Sequence, residues 1–466
     1  MPRSHPNPHR RSWAAGLPPE LRQVNLNAAG IDIGAESHYV AVPAGRDPAG
    51  GDVRQFGAFT DDLYTLAEWL TRCGIDTVAM ESTGVYWIPL FEVLSARGFE
   101  VKLVDPRQLK NVPGRKTDVL DCQWIQQLHT FGLLAAAFRP EEEICVLRSY
   151  LRQRAMLVTY AAQHIQHMQK ALEQMNLKLG HVVSDITGVT GLAIIRAILA
   201  GQRDPGELAQ LRDRRCQADA ETIARALRGN WRPEHLFELR QALELFEFYR
   251  QQIAACDREI EAQLTRFAAK SEGPPLPRQP GRRTARRTDL DFDARPHLHR
   301  LTGVDLTRLD GIDAHTALKI VGEIGLDMTR WPTEKHFASW LGLSPGSKVS
   351  GGKKLSSRSK PSANRAAAAL RLAASCLYHS KSALGAFYRR LKGRLGAPKA
   401  ITATAHKLAC LIYRLLRFGT EYVDHGQDYY ERRYQSRVVS HLTRRARELG
   451  YTLVKNEALP VVTSPA

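Results

Sequence analysis

No apolar run in this chain reaches the roughly 18 residues that a membrane-crossing helix needs, which excludes a helical membrane protein. Cysteine is sparse and scattered. Cys73, Cys122, Cys145, Cys216, Cys256, Cys376 and Cys410 are odd in number and never form a Cys-x-x-Cys pair, so neither a zinc knuckle nor a disulfide frame is expected. The N-terminus is rich in Pro, Arg and His with no apolar stretch behind it, so a cytoplasmic protein is expected. Acid is the minority charge: 48 Asp and Glu stand against 66 Lys and Arg, and the net charge of +18 favours a polyanionic partner, nucleic acid first. The excess is clustered, at Arg278, Arg282, Arg283, Arg286 and Arg287 and again at Lys348, Lys353, Lys354, Arg358 and Lys360.

What is present is enough for several cores. At 466 residues and 43% hydrophobic, the chain exceeds one compact domain. Residues 1–27 read as a basic arm and 28–140 as an α/β domain, its strands alternating with helices after an opening hairpin. Strands are predicted at Ala29–Gly34 with Tyr39–Val42, at Val53–Phe59, at Thr77–Glu81 and at Val101–Val104. Helices are predicted after an N-cap at Asp61, from about Tyr86 to Ala96, and from Thr117 to about Thr130. Residues 141–269 carry helical periodicity of coiled-coil character, interrupted by an insert at 184–232. Prolines and arginines at 270–297 read as a linker, 298–453 as a mainly α-helical region, and 454–466 as a tail.

Four carboxylates are the candidate chemistry. Asp32 lies between two isoleucines on a strand, where a lone carboxylate facing a dry core would cost several kcal/mol, so an edge position or a bound cation is expected. Glu81 ends another strand at its carboxyl side, where open α/β sheets place their crevices. Asp118 and Asp121 are three apart on one helix and share a face. Taken singly each could be a cap or a surface charge; together they suit hard, oxygen-liganded Mg²⁺ ions that clamp the two oxygens of a phosphoryl displacement.

Downstream, the segment from Leu341 to Lys354 is glycine-rich and basic, so its amides and lysines suit phosphates. A serine on such a loop can attack phosphorus if activated, although the loop pattern alone does not choose Ser350 over Ser344, Ser347 or Ser356. Asp310-Gly311-Ile312-Asp313, ahead of a predicted helix, is similar to a helix-hairpin-helix turn whose amides grip a DNA backbone.

These segments together resemble the DEDD-type insertion-sequence transposases, related to Piv-type DNA invertases and including the bridge-RNA-guided recombinases. The matching residues are Gly30-Ile31-Asp32-Ile33-Gly34, Met80-Glu81-Ser82-Thr83-Gly84-Val85-Tyr86, Lys116-Thr117-Asp118-Val119-Leu120-Asp121, Gly342-Leu343-Ser344-Pro345 and Ser350-Gly351-Gly352-Lys353. The resemblance covers about residues 28–180 and 300–420. It implies a RuvC-like domain of the ribonuclease H fold at 28–140, with Asp32, Glu81, Asp118 and Asp121 as a catalytic, Mg²⁺-binding tetrad. It implies a C-terminal transposase domain whose nucleophile, matching Ser350, forms a covalent phosphoserine link to DNA. It further implies donor and target DNA, a structured bridge RNA, a homodimer or tetramer with a composite site, and a nucleoid-associated protein. Arg115, Lys116, Lys348, Lys353, Lys354, Arg358 and Lys360 would contact nucleic acid. The family's usual Pro-Gly-Ile-Gly reads Asp310-Gly311-Ile312-Asp313 here, and its Lys-x-Gly-Asn reads Lys360-Pro361-Ser362-Ala363-Asn364.

Other classes could share parts of the pattern. Sugar kinases and actin-like ATPases also open with an Asp between apolar strand residues, but they need a second, strand-rich phosphate-binding domain. A non-catalytic DNA-binding protein would leave the acids idle, and a metal-only RuvC-like nuclease or Holliday-junction resolvase would have no need for the serine segment.

Overall fold

The computed structural model describes residues 23–82, 84–109, 117–270, 276, 288–359, 361–419 and 424–454. The chain divides into two compact units that meet in sequence at Arg139 and Pro140. Most of the expected basic arm, most of the expected linker and most of the tail lie outside the described residues, as do Thr83, Arg115, Lys116 and Lys360 and the side chains of Lys348 and Lys354.

The first unit is built on a five-stranded mixed sheet of order β3-β2-β1-β4-β5, with β1 (Ala28–Ile33), β2 (Ser37–Ala41), β3 (Val53–Gly57), β4 (Thr77–Glu81) and β5 (Glu100–Val104). β1–β2 and β2–β3 are antiparallel; β1–β4 and β4–β5 are parallel. Gly34 makes the first hairpin tight: its N–H donates to Ser37 O at 3.0 Å, and a Cβ there would sit 2.4 Å from that same oxygen. Alternation divides the sheet's faces. Ile31, Ile33, Val78 and Met80 pack with α1 (Thr60–Arg72) and α2 (Trp87–Ala96) through Leu66, Trp69, Leu70, Leu90 and Leu94. Ala79 and Val104 face the other way, onto Ile125 and Leu128 of α4 (Asp118–Thr130) and onto Leu109 of the short α3 (Pro106–Leu109). Helices therefore cover both faces of a mixed sheet, an arrangement consistent with a ribonuclease H-like fold. Asp61 is not the N-cap of α1. The cap position is Phe59, whose N–H is satisfied at 3.2 Å by the Asp62 carboxylate, so the helix begins two residues earlier than that cap would give, at Thr60.

The second unit opens with two long antiparallel helices, α5 (Glu142–Gln174) and α10 (Pro233–Arg266). Between them in sequence, α6 (Leu179–Val182), α7 (Val189–Leu199), α8 (Pro205–Gln210) and α9 (Ala220–Ala226) pack Ile194, Ile198, Leu208 and Ile223 with Met168 and Leu239. Arg154 and Asp257 form a buried ion pair across the two long helices, and Arg154 also donates to Thr288 O at 3.1 Å and Asp289 O at 2.8 Å. One amphipathic helix begins inside the span expected to be linker: α11 (Ala294–Thr302) is capped by Asp293 and buries Leu298 and Leu301, more apolar contact than the preceding Pro/Arg stretch could supply. Then follow α12 (Ala314–Ile324), α13 (Glu334–Trp340), β6 (Lys348–Ser350), β7 (Lys353–Ser356), α14 (Arg365–Cys376), α15 (Ala383–Leu395), α16 (Ala397–Phe418) and α17 (Gly426–Glu448). Trp331, Phe337 and Tyr413 pack together, and the Tyr413 hydroxyl donates to Trp331 O at 2.7 Å.

Candidate active site

Gly30 explains how the acids of the first unit come together. A Cβ at that position would lie 2.2 Å from the backbone N of Gln126 and 2.4 Å from Cys122 O, so only glycine lets α4 rest directly on β1. Asp32, two residues on, shares the face of Gly30, and the first turn of α4, one turn before Cys122, faces it. Register supplies the third partner. Gly30 pairs with Ala79 and Ile31 with Met80, and continuing that parallel register sets Asp32 beside Glu81. Thr117 opens α4 with its hydroxyl accepting from Leu120 N at 3.4 Å, so Asp118 and Asp121 stand in the first turn, where the helix dipole favours negative charge.

The electrostatics report the convergence. Asp32, half-buried, has its carboxyl pushed up to about 6, first by burial and then by the charges of Asp118, Asp121 and Glu81, against one backbone N–H, that of Ile33, which pulls it down. Beneath the acids the buried Cys122 thiol is pushed up to about 12 by burial and by Asp32. Glu81 and Asp121 are half-buried and Asp118 is exposed, which leaves the cluster open to solvent. Among the described residues, no group of three or more His, Cys, Asp or Glu side chains is gathered tightly enough to hold a metal ion as it stands. The donor set nonetheless fits a hard divalent cation: three carboxylates act on the half-buried Asp32, and Mg²⁺ keeps several waters while binding through only one or two carboxylates.

Ser350 lies in the second unit, on a β-hairpin and not on the irregular loop expected from a mainly helical region. Val349 pairs with Lys354 and Ser350 with Lys353, and the two-residue turn is Gly351-Gly352, with φ of +55° and +74°. Two successive positive φ values match the twist of a tight hairpin and favour glycine, a signal present in the sequence as Ser-Gly-Gly-Lys. Gly346 N donates to Arg358 O at 3.1 Å, and Pro345 bridges to Ser359, closing the base. Ser350 and Lys353 are directly opposite, so their side chains share a face, both exposed at the tip. Ser344 and Ser347 precede the hairpin and Ser356 ends its second strand. Arg358 is exposed after β7. Sequence reasoning missed the contact role of Gly30 and the cap role of Asn364, whose side chain accepts from Ala367 N at 3.0 Å to open α14. Asp313 caps α12 by accepting from Thr316 N at 2.7 Å, while Asp310 accepts from Ser380 and, at 2.7 Å, from Ser382, so this turn is tied into its own unit.

No curated protein matches the chain. Two transposase family models do match. DEDD_Tnp_IS110, described as a transposase, covers residues 29–177, and the transposase IS116/IS110/IS902 family covers residues 305–389. Asp32, Glu81, Asp118 and Asp121 lie within the first segment and Ser350 within the second. The chain thus belongs to the DEDD-type IS110-family transposases of insertion sequences, and it is a DNA transposase.

Proposed function

We propose that this transposase cuts and rejoins DNA through a divalent-cation site on Asp32, Glu81, Asp118 and Asp121 and a covalent intermediate on Ser350. The observation that carries the reading is the field at Asp32, in which three further carboxylates act on one half-buried acid. Such a cluster is costly unless a cation joins it. Mg²⁺ bound there would supply charge neutralisation at the scissile phosphate and a lowered pKa for a bound hydroxyl. Asp32 and Glu81 would hold it from the carboxyl ends of adjacent parallel strands, Asp118 and Asp121 from the first turn of α4.

Ser350 would attack phosphorus: its Oγ–P bond forms as one P–O ester bond of the DNA strand breaks, the serine proton leaves to water, and the departing DNA oxygen takes up a proton. Lys353, across the hairpin, would offset the phosphate's charge, with Arg358, Lys348, Lys354, Lys360, Arg115 and Lys116 along the nucleic-acid path. Reversal of the step onto another DNA end would complete strand exchange between donor and target. From the resemblance stated above, the acids and the serine acting on one phosphate come from different subunits of a dimer or tetramer, a bridge RNA selects the DNA, and the assembly works on the nucleoid. The segments 28–140 and 298–453 would be the RuvC-like and serine transposase domains, joined through the helical region 141–269 and the linker 270–297, with the arm 1–27 and tail 454–466 outside them.

Strand-cleavage assays on variants of the full chain test the reading. Ser350→Ala is expected to leave nucleic-acid binding intact and end strand exchange, and Glu81→Gln with Asp118→Asn to end all cleavage. Strand exchange surviving Ser350→Ala would leave a metal-only nuclease or junction resolvase, and cleavage surviving the double substitution would remove the acid site.

A further inference from the structure

The helix α17 (Gly426–Glu448) lies beyond both matched family segments, the later of which ends at residue 389. It buries none of its side chains. A helix without a buried face draws little stability from its own fold, which is where most helical stability in proteins arises. Its beginning is held: Arg389 donates to Gln427 Oε1 at 2.6 Å, Gln427 N donates to Lys381 O at 3.0 Å, and the Arg390 guanidinium lies 3.6 Å from the centre of the Tyr434 ring. From Gln435 onward every side chain is exposed or half-exposed, and the ion pairs of Arg444 and Arg445 with Glu448 are internal to the helix. Exposed pairs of that kind are worth under about 1 kcal/mol, so they leave the arginines available.

α17 carries six arginines against three acids. At 3.6 residues per turn, Arg433, Arg437, Arg444 and Arg447 fall within roughly 80° of arc, with Ser436 and Ser440 on the same side. Val438, Leu442 and Leu449 lie opposite. That apolar stripe is too short for the three or more heptads of a coiled coil with a second copy. The basic stripe, by contrast, runs about 21 Å along the axis, comparable with some six phosphates of one strand of duplex DNA.

We propose that the Arg433, Arg437, Arg444 and Arg447 face of α17 binds the phosphate backbone of duplex DNA outside the reacting phosphodiester. The choice of DNA as the polyanion rests on the transposase reading; the surface itself rests on charge and exposure. Contacts of this kind position the protein on the duplex and carry no sequence preference.

The test uses the full chain carrying Ser350→Ala, so that binding is read without turnover. Its affinity for a DNA duplex is measured from about 50 to 200 mM salt, with and without Arg433→Ala, Arg437→Ala, Arg444→Ala and Arg447→Ala together. Alanine keeps helix propensity, and far-UV circular dichroism checks that the helix remains. The salt slope is expected to fall by about 3 to 4 and the affinity near physiological salt to weaken about tenfold or more, while four Arg→Lys exchanges restore the slope. An unchanged slope overturns the proposal. So does a loss confined to duplex RNA. Because no chemistry is needed for this readout, a failure of the covalent mechanism would leave it intact, and the two can fail separately.

Discussion

At the scale of single residues, the first unit sets an ionisable group near each end of α4, and their surroundings differ. Asp32 faces the start of α4 among three other acids, so its charge is disfavoured. His129, in the last turn of α4, is buried, and its Nε2 sits 2.9 Å from the Thr77 hydroxyl. Burial first, then the charge of Lys102, lowers it to about 4. A histidine lowered in the fold stays neutral there while the unfolded chain takes up its proton near pH 6.5, so its contribution is complete above that pH and is lost as pH falls toward 4. His129→Gln is therefore expected to flatten the loss of stability between about pH 6.5 and 4, by on the order of 2 kcal/mol, in urea unfolding followed across that range. An acid dependence identical to the parent chain would show that His129 is not held neutral. The acids were legible in the sequence as residue types at recognisable spacing. His129 was not, because nothing about a lone histidine on a helix tells which neighbours will bury it.

At the scale of elements, the contact of α4 with β1 positions the acids, and Gly30 permits it. Gly30→Ala would drive a methyl group into backbone atoms of Gln126 and Cys122, which cannot rotate away as a side-chain tip could. It is expected to cost about 3 kcal/mol or more in the first unit and to abolish cleavage by moving Asp118 and Asp121 off Asp32. Gly45→Ala, also in the first unit, has φ of +76° but open space around it, and should cost about 1 kcal/mol and spare cleavage. Equal effects of the two substitutions, in unfolding and in cleavage, would refute the contact argument. Periodicity made the strands, α4 and the long pair α5 and α10 readable. The β6–β7 hairpin was hidden by its own chemistry: Lys348–Ser350 and Lys353–Ser356 are mostly exposed and lysine-rich, with no apolar alternation, and only the two glycines mark the turn. α11 was missed because Arg295 and Pro296 extend the composition of the linker into its first turn, where proline is tolerated.

At the scale of the whole molecule, the two matched segments, 29–177 and 305–389, are separated by the insert helices, α10 and the Pro/Arg-rich stretch. Within the second unit α5, from the first segment, is tied to α12, from the later one: Arg148 donates to Gly322 O and Glu323 O, both at 3.0 Å, and Arg152 makes a bidentate pair with the Glu323 carboxylate. The intervening chain therefore departs and returns without parting these helices, and its excess of positive charge, plain in the composition, gives no position for any one contact. In the proposed mechanism the acids of the first unit and the serine of the second serve one reaction. Mass spectrometry of the full chain incubated with its DNA and Mg²⁺ tests it most directly. Expected is a nucleotide remnant on the peptide containing Ser350, formed by the parent chain and absent with Asp32→Asn. A remnant on another residue, cleaved DNA without any remnant, or an undiminished adduct with Asp32→Asn would contradict it.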